Sequence, residues 1–124
     1  MAQAEKVYSE DEVKQRLTGP LSHWYVEDGW LGRKFKTEGW KGTLMVVNTI
    51  GHLAEAAWHH PDLTVSYAFV IVKLMTHSAK GITDKDLALA SKIEEVVSWR
   101  PGREEEPLDG TPSDDQWFRY IKYD

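Results

Sequence analysis

The 124-residue chain contains no cysteine, which excludes disulfides, thiol catalysis and thiolate-bound metals. A chain without thiols suits a reducing cytoplasm, and a cytoplasmic location is expected. Long apolar runs are also missing. The stretch 68–72 is far shorter than the roughly 20 residues that cross a bilayer, so no membrane span is expected. The N-terminal residues lack a basic segment leading into an apolar core, so no signal peptide is expected. Glycine-rich phosphate motifs are absent, which leaves nucleotide binding without support. Positive charge is in deficit, with 15 Lys and Arg against 20 Asp and Glu and a net charge of −5. Nucleic-acid binding needs a basic face and is not expected.

What the chain does have is an ordinary globular balance, 41% apolar and 28% charged residues. A single domain over residues 1–124 is expected, with residues 100–124 as a C-terminal extension. Six Trp and five Tyr are many for this length. They imply aromatic packing in the core or an apolar surface used for assembly.

Residues 1–7 read as loose. Ser9 opens a helix in a capping box with Glu12, and the helix ends near Gly19-Pro20. Residues 23–26 read as a strand, Glu27-Asp28-Gly29 as a tight turn and residues 30–37 as the returning strand. The returning strand puts Leu31, Arg33, Phe35 and Thr37 on one face, an imperfect apolar pattern. From 39 to 58 the period becomes helical, with a stripe of Trp40, Leu44, Val47, Gly51, Ala54 and Ala57/Trp58 that Pro61 terminates. Residues 64–74 read as one central strand, and 77–81 as a loop. Thr83 and Asp86 form a second capping box for a helix to about Trp99. An acidic, irregular segment follows, Glu104-Glu105-Glu106 and 109–115, before an alternating stretch at 117–123. The order α-β-β-α-β-α predicts a two-layer α+β fold. It has an antiparallel sheet of three to four strands and about three helices on one face.

Chemistry-bearing side chains concentrate in the middle of the chain. The pair His59-His60 and, one strand later, His77 offer proton donors and acceptors near neutral pH. Glu55 lies one turn before His59, and Asp86 in the first turn of the last helix. Singly, each has a plain structural role. Asp86 is a helix N-terminal acid favoured by the dipole, Glu55 a solvated helix residue and Tyr67 a strand aromatic. A metal site finds no support: His52 and His59 are two helical turns apart, on the order of 10 Å, and no HExxH pair exists.

Together, the segment EAAWHHPDLTVSYAFVIVKLMTHSAKGITDKD resembles the signature of the pterin-4a-carbinolamine dehydratases. The matching positions are Glu55, His59, His60, Pro61, Tyr67, His77 and Asp86. The resemblance continues through GITDKDLALASKIEEV and upstream through GWLGRKFKTEGWKGTLMVVNTIGHLAE. It implies dehydration of a 4a-hydroxytetrahydropterin to the quinonoid dihydropterin by acid/base catalysis, with no cofactor and no metal. His59 and His77 are implied as acid and base, and His60 as a third catalytic histidine. Glu55, Tyr67 and Asp86 are implied to bind substrate, with Asp86 orienting His77. A homodimer or homotetramer is also implied.

Two positions and the tail depart from the family pattern. Trp58 stands where a small polar residue is usual, and its indole could obstruct the cleft; Thr37 replaces an aromatic. The tail 100–124 runs past the usual end and resembles that of the dehydratase-like proteins of α-carboxysomes, associated with Rubisco assembly. Two functions therefore stand open: a lyase acting on a pterin, and a non-catalytic, carboxysome-associated assembly factor with Rubisco as its partner.

Overall fold

The computed structural model describes residues 5–103, 106–112 and 117–123. Helix α1 (Glu10–Arg16) begins with the expected capping box: Ser9 Oγ accepts from Glu12 N, and the Glu12 carboxylate accepts from Ser9 N. The Ser9 backbone hydrogen bond, with the Lys6 ammonium, holds the Glu12 carboxyl down to about 2. Residues 5–8 are tethered rather than loose. Glu5 pairs with Lys85, Lys6 with Glu12, and Tyr8 donates to Asp84 at 2.6 Å. Residues 1–4 of the expected loose segment lie outside the described residues.

Strands β1 (Tyr25–Glu27) and β2 (Trp30–Thr37) form a hairpin through Asp28 and Gly29, both at positive φ (52° and 81°). Asp-Gly is the pair such a two-residue turn favours. The mixed face of β2 is buried in full: Leu31, Arg33, Phe35 and Thr37 are all 5% exposed or less. Arg33 is tolerated there because Glu94 meets it, Nε to Oε1 at 2.8 Å, and its guanidinium lies over the Phe35 ring. Burial pushes the Glu94 carboxyl up, but Arg33, Ser98 and Trp24 outweigh burial and hold it below its ordinary value.

Helix α2 (Trp40–Ala57) forms where periodicity placed it, and of the expected stripe Ala54 is buried and Val47 packs against the core, but its N-terminal end turns a different face inward. Gly42, Thr43, Val46, Ile50 and Ala54 are buried, while Trp40 is 50% and Leu44 39% exposed. Large apolar residues misled the reading. The first turn of the inward face carries a small and a polar residue, Gly42 and Thr43, because neighbours approach closely: a Cβ on Gly42 would lie 2.2 Å from the Tyr120 carbonyl oxygen. Thr43 Oγ1 bonds Thr37 and the Tyr67 carbonyl.

The segment expected as one central strand is two. Strands β3 (Asp62–Ser66) and β4 (Phe69–Leu74) pair antiparallel across Tyr67-Ala68, with Ser66 opposite Phe69. The fold is the expected α+β, with five strands rather than three to four. The sheet runs β1-β2-β4-β3, entirely antiparallel, and strand β5 (Ile121–Lys122) also pairs with β2. Helix α3 (Asp84–Val97) begins with the second capping box.

Helices α2 and α3 run antiparallel. His59, past the end of α2, meets Asp86 in the first turn of α3. At the other end, Val46 and Val97 line one small cleft with Ile121 of β5. The described tail therefore docks at the α2 N-terminus. Glu104, Glu105 and residues 113–116 of the expected acidic segment lie outside the described residues. Eighteen helical residues, about 27 Å, separate the ends of α2.

Candidate active site

Helix α2 ends at Trp58, which adopts left-handed geometry (φ 52°, ψ 47°), and His59 N donates to Ala54 O. This is a glycine-type helix stop. A tryptophan in that conformation costs about 1–2 kcal/mol. His59 and His60 therefore stand past the helix rather than on it, and Glu55 reaches His60 instead of His59. His60 Nε2 lies 2.8 Å from Glu55 Oε1, and the His60 ring meets the Trp58 indole edge-on at 5.0 Å. Trp58 itself is 75% exposed.

His59 lies mostly buried with Nε2 2.6 Å from Oδ1 of Asp86, which is fully buried. The second oxygen, Oδ2, accepts from Thr76 Oγ1 at 2.8 Å and from Thr83 N at 2.9 Å. Thr83 Oγ1 is 2.7 Å from Thr76 Oγ1. One carboxylate thus caps α3 and holds His59. The partner expected for Asp86 was His77, and the hydrogen bond it makes is with His59.

His77 is exposed on a loop that starts at Thr76 and closes on Gly81, through Thr76 N to Gly81 O at 2.9 Å. Its ring packs edge-on to Trp30 at 5.6 Å. Val7 of the N-terminal arm sits so close to Gly81 that a Cβ there would be 2.4 Å from Val7 Cγ1. The arm and β2 therefore both contribute to placing the loop. Sequence reasoning missed Thr76, Thr83's second role and Trp30; the only signal was threonine next to His77 and three before Asp86.

Of the expected site residues, His59, His60, Glu55 and Asp86 gather where α2 ends and α3 begins; His77 follows Thr76, whose hydroxyl reaches Asp86, and its own ring lies against Trp30. Tyr67 is not among them. Its carbonyl is held by Thr43 near the start of α2, and its ring is 68% exposed beside Gly39. Between α2 and α3, starting at His59, lies an apolar groove of about 750 Å³. Leu53, Ala56, Ala57, Trp58, Ala88 and Leu89 line it, along with Lys85 and Lys92. Among the described residues no group of three or more His, Asp or Glu is placed to hold a metal ion.

The arrangement can move protons: a carboxylate-held imidazole stands next to a more accessible one, His60. Comparison with known proteins gives this a context. A protein of Aquifex aeolicus, named among the pterin-4-alpha-carbinolamine dehydratases, is 51% identical over 89 residues, covering 72% of this chain and 89% of its own length. A similarly named protein of Metallosphaera sedula is 41% identical over 88 residues, covering 71% of this chain and 91% of its own length. The crystal structure of a transcriptional coactivator/pterin dehydratase from Brucella melitensis superposes with a TM-score of 0.67 at 28% identity. It covers 74% of this chain and 99% of that one. A pterin dehydratase-like protein identified as a RuBisCO assembly factor in the alpha-carboxysome shares the fold. Its TM-score is 0.50 at 15% identity, over 60% of this chain and 86% of that one. The sequence pattern described as Pterin 4 alpha carbinolamine dehydratase matches residues 6–96. That segment contains Glu55, His59, His60, His77 and Asp86 and stops where α3 ends, so the chain belongs to the pterin-4-alpha-carbinolamine dehydratase family.

Proposed function

We propose that the protein dehydrates a 4a-hydroxytetrahydropterin to the quinonoid dihydropterin. The observation that carries this reading is the hydrogen bond between His59 and the fully buried Asp86. The reaction breaks the C4a–O bond and removes a ring N–H proton. The hydroxyl leaves as water once protonated, and the positive charge left on the ring falls when a base takes the N–H proton. His59 is the base in this scheme, because the Asp86 carboxylate stabilises the imidazolium formed as it accepts the proton. His77, exposed at its loop, is the acid that protonates the leaving hydroxyl. His60, with Glu55, binds the pterin or shares in proton transfer. The test is an absorbance assay of carbinolamine dehydration with the purified protein. Turnover well above the spontaneous rate is expected, and a rate equal to it overturns the reading.

A second reading, a non-catalytic role in assembling Rubisco, draws on the fold shared with the alpha-carboxysome assembly factor. It also draws on a cleft of about 300 Å³ at the α2 N-terminus, where Trp40, Lys41 and Tyr67 face Trp117, Arg119 and Tyr120 of the tail. Improved recovery of assembled Rubisco on co-expression, lost when residues 100–124 are removed, is its test.

A further inference from the structure

Both oxygens of Asp86 are engaged, and the direction of each hydrogen bond follows from who has a proton to give. As a carboxylate, Asp86 only accepts. Thr83 N and Thr76 Oγ1 both lie on Oδ2, so the single hydroxyl proton of Thr76 points to Asp86. Thr83 Oγ1 already accepts from Lys85 N, and lies 2.7 Å from Thr76 Oγ1. Its own proton must therefore go to Thr76. On the other side, Oδ1 stands 2.6 Å from His59 Nε2. Two lone pairs at that distance would repel, so Nε2 carries the hydrogen and Nδ1 is left as the basic nitrogen.

The capping box of α3 needs Thr83 and Asp86 alone, and it is complete without Thr76. The Thr76 hydroxyl is thus surplus to helix capping. It is 3% exposed as a residue, and its backbone closes the loop that carries His77 in both directions, through Thr76 N to Gly81 O and Gly81 N to Thr76 O. One residue touches the supports of both histidines.

We propose that Thr76 is a positioning residue of this site, its hydroxyl fixing the His59 tautomer through Asp86 while its backbone sets where His77 stands. The chain of donors runs Thr83 to Thr76 to Asp86, and ends on the hydrogen of His59 Nε2. Losing the Thr76 hydroxyl leaves Oδ2 with only the Thr83 amide, so the carboxylate can turn and its hold on His59 weakens. The inference rests on the dehydratase reading for its kinetic consequence, but not for its structural one.

The experiment compares wild type, Thr76→Val and Thr76→Ser by two readouts. The first is the ¹⁵N spectrum of the His59 imidazole at a pH where it is neutral. Wild type is expected to show the Nε2–H form, Thr76→Val a mixture of tautomers, and Thr76→Ser a return to the wild-type signature. The second is dehydratase kinetics. Thr76→Val is expected to lower kcat by about 10–100-fold, toward the low end of what a general acid or base contributes, because His59 and Asp86 are both kept. KM should change little, the acid limb of the kcat/KM profile should move, and Thr76→Ser should restore both. Thr76→Ala takes the place of the valine variant if that one does not fold. An unchanged His59 spectrum and pH profile in Thr76→Val overturns the proposal, as does failure of Thr76→Ser to restore them. A wild-type protein with the Nε2–H signature but no turnover overturns the dehydratase reading and leaves the relay standing.

Discussion

The two ends of helix α2 are built by opposite means. At its C-terminus, where α3 begins, the contacts are directed and polar: Asp86, Thr76, Thr83 and His59 hold one another at 2.6–2.9 Å. At its N-terminus, beyond the hydrogen bonds of Thr43 to Thr37 and to the Tyr67 carbonyl, the tail adds aromatic and backbone-to-backbone contacts. Tyr120 O lies against Gly42 and accepts from Glu38 N, and Ile121 is buried next to Val46 and Val97. The first end lies within the segment matched by the family, whereas the tail that completes the second lies beyond residue 96. The contrast teaches that the helix separates an end built for orienting protons from one built for covering apolar surface. Changes at one should leave the other untouched.

The largest effect that would break this separation is catalytic. His59→Ala should lower kcat by about 10²–10⁴-fold and cost only about 1–3 kcal/mol in stability, because Oδ1 of the buried Asp86 loses its partner. A large loss of stability instead would make His59 a structural residue. Next is the buried pair between the ends. Glu94→Ala should cost about 3–5 kcal/mol in urea unfolding, because the buried guanidinium of Arg33 loses the carboxylate that meets it and the Trp24 indole N–H loses its acceptor. The Glu94 carboxyl is held below its ordinary value of 4.5, so it contributes fully above that pH. The contribution is lost as pH falls through the lowered folded value. Glu94→Gln should therefore flatten the acid side of the stability curve, and an unaltered slope would refute the assignment.

A smaller effect sharpens the picture of the tail. Gly42→Ala forces a methyl to within 2.2 Å of the Tyr120 carbonyl and should cost about 1–3 kcal/mol. Hydrogen exchange at Ile121 should speed up while kcat stays within about twofold of wild type, since the histidines lie at the far end; a parallel fall in kcat would couple the two ends. The smallest effect is a gain. Trp58→Gly relieves the left-handed strain and should raise stability by about 1 kcal/mol, read as a rise of a few degrees in melting temperature. No rise would mean that the indole's contact with His60 offsets the strain.

How much of this was legible depended on how local the cause was. Both capping boxes and the Asp28-Gly29 hairpin follow from neighbours in sequence, and all three are legible there. The break at Tyr67-Ala68 was not, because neither residue announces a turn and neither sits at positive φ. That turn is held from outside: Thr37 N donates to Ala68 O and Thr43 Oγ1 to Tyr67 O. The inward face of α2 was hidden for the same reason, since only the folded tail makes Gly42 a contact residue. In the site, the histidines and carboxylates stood out by residue type. The partner of Asp86 and the part played by Thr76 depend on how the end of β4 meets the start of α3.

The buried Arg33–Glu94 pair has a consequence for how the sheet assembles. The neighbours of Arg33 on β2 are Gly32 and Lys34, and pairing with β4 sets Arg33 opposite Val72. A slip of β2 by one residue would turn the lysines of its outer face inward and carry the guanidinium away from α3. Glu94 would then be shut in with Trp24 and Ser98 alone, a carboxylate without its counter-charge, at a cost of several kcal/mol. The pair thus acts as a proofreading mark: a hairpin paired one residue out of register is penalised when α3 docks.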